Sequence, residues 1–93
     1  MGKNTERDDD TKKALMNRLK RIEGQVRGLE QMLEKNAYCN DILQQSAAVG
    51  SALNAFNRVL ISEHIKGCVA TDLRQGDESS VDELVLTLQK LMK

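Results

Sequence analysis

The chain has no proline and no tryptophan, and one tyrosine and one phenylalanine, Tyr38 and Phe56, are its whole aromatic complement. Two rings exclude a large aromatic core and a row of stacking platforms for single-stranded bases. No apolar run approaches the roughly 18 residues that cross a bilayer. The first residues, Met1-Gly2-Lys3-Asn4-Thr5-Glu6, carry no apolar stretch of the signal-peptide kind. They also miss the myristoylation pattern, which wants serine or threonine where Glu6 stands. A soluble cytoplasmic protein with no membrane partner is expected. Net charge is absent too, with 14 basic and 14 acidic side chains, yet 40% of the 93 residues are hydrophobic. That balance excludes compositional disorder and fits one domain at most. Only two cysteines occur; in a reducing compartment they suggest chemistry before stapling.

Charge is balanced in sum but not along the chain. Residues 11–30 hold Lys12, Lys13, Arg18, Lys20, Arg21 and Arg27 against Glu23 and Glu30. Residues 77–83 hold Asp77, Glu78, Asp82 and Glu83 with no basic group. Such asymmetry points to an anionic partner for the first segment.

Residues 1–10, with Asp8, Asp9 and Asp10 in a row, read as a flexible polar tail, and 11–93 as a single helical domain. Leu15, Leu19, Ile22, Val26, Leu29 and Leu33 follow a 4-3-4-3-4 spacing, which predicts a helix over about 11–35. Asp10 or Thr11 is its expected N-cap and Asn36 its end. Ile42, Val49 and Phe56 recur every seven residues, interleaved with Ser46, Leu53 and Leu60, and predict a second helix from 39 or 40 to about 72. Val81, Leu84, Val85, Leu88, Leu91 and Met92 predict a short third helix, with Ser80 and Glu83 spaced as a capping box. No strand pattern competes, so the fold class is all-α, three helices per chain.

Helices of these lengths extend roughly 37 and 50 Å, whereas a globule of this chain length has a radius of gyration of about 12 Å. The heptad seams of such a hairpin stay partly open. A second copy completing an antiparallel four-helix bundle closes them, so an obligate oligomer is expected.

Three soft-metal ligands are present, Cys39, His64 and Cys68, the only cysteines and the only histidine. His64 and Cys68, four apart on a helix, share a face. Cys39 lies roughly 37 Å from His64 along a continuous helix. An antiparallel dimer solves this: Cys39 of one subunit meets His64 and Cys68 of its partner, twice per dimer. The crossing falls near Ala52 and Leu53, among Ala47, Ala48, Gly50, Ser51 and Ala55, small side chains that permit close approach. Two thiolates and an imidazole favour Cu(I) or zinc. Cu(I) is content with three donors and is preferred; zinc needs a fourth, which a water or carboxylate can supply. Equally, two cysteines can serve as small apolar side chains. An enzyme is not expected, since nothing supplies an oxyanion segment, a second acid–base cluster or a substrate pocket.

Ala14-Leu15-Met16-Asn17-Arg18-Leu19-Lys20-Arg21-Ile22-Glu23-Gly24-Gln25-Val26-Arg27-Gly28, then Ala37-Tyr38-Cys39, Asn57-Arg58-Val59-Leu60 and Glu63-His64-Ile65-Lys66-Gly67-Cys68 together resemble the CsoR-type copper-sensing repressors, from about residue 11 to the end. The resemblance implies a dimer of dimers, hence a homotetramer, that represses transcription when metal-free. Cu(I) binding would release the operator DNA and permit expression of copper-efflux genes. Cys39, His64 and Cys68 match the Cu(I)-sensing pattern position by position. Nickel- and cobalt-sensing relatives use additional N-terminal histidines, and this chain has none there. Formaldehyde-sensing relatives carry a proline at position 2, where Gly2 stands. Persulfide-sensing relatives keep both cysteines but lack the histidine, so a persulfide or thiol-redox sensor is the alternative within the family. A structural, zinc-stabilised helical dimer is the alternative outside it. Tyr38 and Glu83 match positions around the histidine ligand, where an acceptor for its other N–H would fix the tautomer.

Neither a helix-turn-helix nor a zinc finger fits this chain, but a basic stripe does. At 100° per residue from Leu15, Lys13, Lys20 and Arg27 cluster on the far side of the first helix, and Arg18 and Arg21 flank the seam. Such a surface grips phosphates. In family terms Arg18 and Lys20 are the foremost DNA contacts. Some relatives place a basic residue where Ala55 stands; Arg58 is the nearby substitute.

Overall fold

The computed structural model describes residues 7–92, and within them the chain is helical, without a strand. The expected tail lies outside the described residues over 1–6. Helix α1 spans Asp9–Glu34, two residues earlier than the seam suggests, so Asp9 and Asp10 belong to the helix and not to the tail. The cap is Asp8, not Asp10 or Thr11. Its backbone is extended, and its carboxylate accepts the Thr11 N–H at 2.7 Å. Asp9 and Asp10 then sit in the first turn, where carboxylates complement the helix dipole.

Hydrogen bonding to the Thr11 side chain and backbone holds the Asp8 carboxyl below its ordinary value. A depressed folded pKa stabilises fully above the unfolded value and is lost as pH falls through the folded one. The first turn of α1 should therefore hold at neutral pH and fray on acidification below about pH 4. Exchange protection of the Thr11 amide, followed by NMR across that range, checks this. Asp8→Ala should show the frayed behaviour at every pH.

The end of α1 is where the sequence places it. Asn36 takes φ 58°, the left-handed conformation that asparagine tolerates better than most. The Ala37 N–H donates to the Met32 carbonyl at 2.9 Å and the Asn36 N–H to Leu33 at 3.2 Å. These are the two crossed bonds of a Schellman stop.

Helix α2, Cys39–His64, opens on the Tyr38 carbonyl, which accepts from the Asp41 and Ile42 N–H groups at 3.0 and 3.2 Å. After His64 the backbone stays helical, but the bonding changes: Ile65–Val69 form a π-helical turn and Ala70–Arg74 a short helix, α3. The expected second helix thus exists as one track to Arg74, with a change of hydrogen-bond register inside it. Gly76, at φ 82°, ends α3 by the same two bonds: Gly76 N–H to Leu73 at 3.0 Å and Asp77 N–H to Asp72 at 2.8 Å.

Helix α4 spans Ser79–Leu91 and departs from the expected capping box. Ser80 already lies inside the helix, buried at 3% exposure, and its hydroxyl donates to Oδ2 of Asp72. The exposed end is served instead by Asp77, whose Oδ1 accepts the Ser79 N–H at 2.9 Å. A buried hydroxyl needs a partner more than a solvated N–H does, which is why Ser80 turns inward.

The chain forms two compact units, the first up to Leu60 and the second from Ile61 onward. In the first, Leu15 is the buried residue of α1 and α2 has none; Leu33, Leu43 and Leu53 are exposed. A groove of about 550 Å³ runs along α1, lined by Met16, Leu19, Ile22 and Val26 with Glu23, Arg27 and Glu30. In the second unit, Val69 and Ser80 are buried and α4 packs on the π-helical turn.

Candidate metal centre and nucleic-acid interface

Helix α2 begins at Cys39 and ends at His64, so these two donors are its first and last residues. Cys39 is exposed; His64 and Cys68 are half-buried, and neither cysteine forms a disulfide. Cys68 lies in the π-helical turn that follows His64 directly. An i→i+5 turn accommodates one residue more than an α-turn, and such turns recur at functional sites. His64 and Cys68 therefore stand one turn apart within the second unit, while Cys39 belongs to the first. Among the described residues, no group of three or more His, Cys, Asp or Glu side chains gathers as a metal site within the chain.

Tyr38, adjoining Cys39, is 72% exposed. Glu83 lies in the second turn of α4, exposed, and its carbonyl accepts the Thr87 hydroxyl at 3.1 Å. The structure places Glu83 in the same unit as His64 and Cys68, and Tyr38 in the other.

The basic residues expected to meet DNA fall on the first unit. Lys13, Arg18, Lys20, Arg21 and Arg27 are all exposed on α1, and Arg58 is exposed on α2. Lys13, Lys20 and Arg27 repeat every seven residues, which keeps them on one side of α1. Arg27 also lines the apolar groove, so it stands at the border between the basic and apolar sides. A side chain added at Gly28 would meet nothing within 4 Å, and one at Gly24 would touch only the Arg27 guanidinium, at 3.8 Å. No contact among the described residues explains why these two positions are glycine.

Residues 11–90, a span that holds every donor and every basic residue just described, match the metal-sensitive transcriptional repressor family. The chain belongs to that family. It is a repressor of the CsoR type and not an enzyme. It is 43% identical over 83 residues to the copper-sensing transcriptional repressor CsoR of Bacillus subtilis, covering 88% of this chain and 82% of that one. It is 39% identical over 75 residues to CsoR of Mycobacterium tuberculosis, covering 80% of this chain but 63% of the longer relative. The fold matches a crystal structure of the copper-sensing repressor CsoR with Cu(I) from Geobacillus thermodenitrificans, at TM-score 0.91 and 40% identity over 99% of this chain and 97% of that one. It also matches the nickel-responsive transcriptional regulator InrS, at TM-score 0.71 and 31% identity over 94% and 96% of the two chains. A copper-sensing repressor and a nickel-responsive regulator thus share the fold of this chain.

Sequence periodicity did not reveal the π-helical turn or the Asp72–Ser80 hydrogen bond. Gly67, a weak helix former in the middle of the turn, was the one signal of the former. Nothing in the spacing signals the latter. Among the described residues no helix is long and apolar enough to cross a membrane.

Proposed function

We propose that this copper-responsive repressor binds Cu(I) through Cys39 of one subunit and His64 and Cys68 of the partner subunit. The observation that carries the reading is the donor set itself: two thiols outside any disulfide and one imidazole, Cys39 and His64 as the first and last residues of α2 and Cys68 in the turn that follows. This soft set fits Cu(I), which accepts three ligands, better than nickel, which favours nitrogen and oxygen donors in tetragonal geometry. When bound, the ion supplies a fixed link between the two subunits. Tyr38 and Glu83 stand around the His64 imidazole, and one of them accepts its other N–H and so fixes the tautomer. The antiparallel dimer covers the exposed leucines of α1 and α2 and brings opposite ends of the two α2 helices together. Two such dimers make the homotetramer, acting in the cytoplasm.

Metal-free, the repressor grips operator DNA through Arg18 and Lys20, supported by Lys13, Arg21, Arg27 and Arg58. Closing the metal site disfavours the arrangement that fits DNA, so the operator is released and copper-efflux genes are expressed. By linkage, DNA weakens Cu(I) binding by the same factor. The test is an anaerobic Cu(I) titration of the repressor on its own upstream promoter DNA. Loss of the complex at about one Cu(I) per chain is expected. Release by persulfide and not by copper would sink the copper reading in favour of a thiol sensor. Absence of DNA binding at any copper level would leave a zinc-stabilised structural dimer.

A further inference from the structure

Within the second unit, the buried polar side chain near the start of α4 is Ser80, 3% exposed. Buried hydroxyls are bonded almost without exception, and this one donates to Oδ2 of Asp72 on α3. Asp72 stands four residues beyond Cys68 and eight beyond His64, a spacing that returns to one side of a helical track at each turn. The intervening loop is short and held at both ends. Gly76 and Asp77 close α3 with their two backbone bonds, and the Asp77 carboxylate caps Ser79. Helix α4 packs on the π-helical turn that contains Cys68, and Val69, next to Cys68, is 5% exposed. The turn bearing the candidate ligands, the Asp72 carboxylate and α4 form one connected body.

We propose that the Asp72–Ser80 hydrogen bond is a latch that docks α4 on the turn carrying Cys68, so that closing the metal site orders α4. The coupling rests on the copper reading above. A π-helical turn is an irregular and readily reorganised piece of backbone. Holding His64 and Cys68 around one ion fixes that turn. Val69 and the latch pass the constraint to α4, making Asp72 and Ser80 positioning residues.

Amide hydrogen exchange on the full chain, metal-free and with one Cu(I) per chain, tests the latch. In the wild type, copper should slow exchange across α4 by about tenfold or more. In Ser80→Ala, metal-free exchange across α4 should rise by about tenfold, as expected for losing a hydrogen bond to a charged group. The copper response of α4 should then vanish, while α1 exchanges as in the wild type and so reports an intact fold. Asp72→Asn keeps an acceptor oxygen and should retain the copper response. The exposed neighbour variant Ser79→Ala should behave as the wild type. Copper that binds the wild type in a chelator competition but leaves α4 exchange unchanged overturns the latch alone. A copper response that survives in Ser80→Ala does the same. Copper that fails to bind the wild type overturns the copper reading and the coupling with it.

Discussion

Cys39→Ala and Cys68→Ala proteins should each fail to bind Cu(I), and a mixture of the two should recover part of the binding. Each single variant removes one donor from both sites of its homodimer. Because even groups outside the ligand shell contribute 10–100-fold to metal affinity, loss of a ligand should cost at least about 100-fold. In a mixed dimer the two lesions fall in the same site. One site then lacks both cysteines, and the other keeps Cys39 from the Cys68→Ala chain together with His64 and Cys68 from the Cys39→Ala chain. With random exchange of subunits, half of the dimers are mixed, and the recovered stoichiometry should be about one Cu(I) per four chains. Anaerobic titration against a colorimetric Cu(I) chelator, before and after refolding the mixture, reads this directly. A site built within one chain predicts no recovery. The two single variants should also stay on promoter DNA at copper levels that release the wild type.

Arg18→Ala/Lys20→Ala should bind promoter DNA more weakly and lose much of its salt dependence. Phosphate contacts act by displacing condensed counterions, so each lost contact lowers the slope of log affinity against log salt by about 0.9. If both side chains touch phosphate, the slope should become shallower by about 1.8 for each subunit that meets the DNA. The affinity loss should be largest at low salt and similar for operator and unrelated duplexes. Fluorescence anisotropy at several salt concentrations measures it. Both residues are exposed on α1, so the double variant should keep its fold and its Cu(I) binding. An unchanged slope would remove α1 from the interface.

Much of the architecture was legible because α1 and α2 carry uninterrupted seven-residue seams. The close of α1 was legible because Asn36 suits a left-handed stop, and the structure puts it there at φ 58°. The start of α1 was misplaced for a physical reason. Three aspartates in a row look like a solvated tail, and only the backbone conformation tells that Asp8 is extended while Asp9 and Asp10 are already helical. The box expected at Ser80 and Glu83 failed because burial decides where a hydroxyl points, and spacing carries no burial. The π-helical turn was hidden because it changes the hydrogen-bond register over Ile65–Val69 alone, too short a stretch for a seven-residue seam to show the break. As for the candidate centre, the donor atoms were legible from their scarcity. Their distribution over the two ends of α2 followed from the length of the helix.

The π-helical turn at Ile65–Val69 has one more consequence, in the language of phase. An extra residue accommodated in a turn sets every later side chain back by about 100° relative to an unbroken α-helix. That offset sets the side of the track on which Asp72 stands, where its carboxylate accepts the Ser80 hydroxyl. Deleting one residue from the turn would give a more regular helix and a misaligned one. The irregularity works as an indexing notch, fixing which side of the chain beyond it is offered to α4.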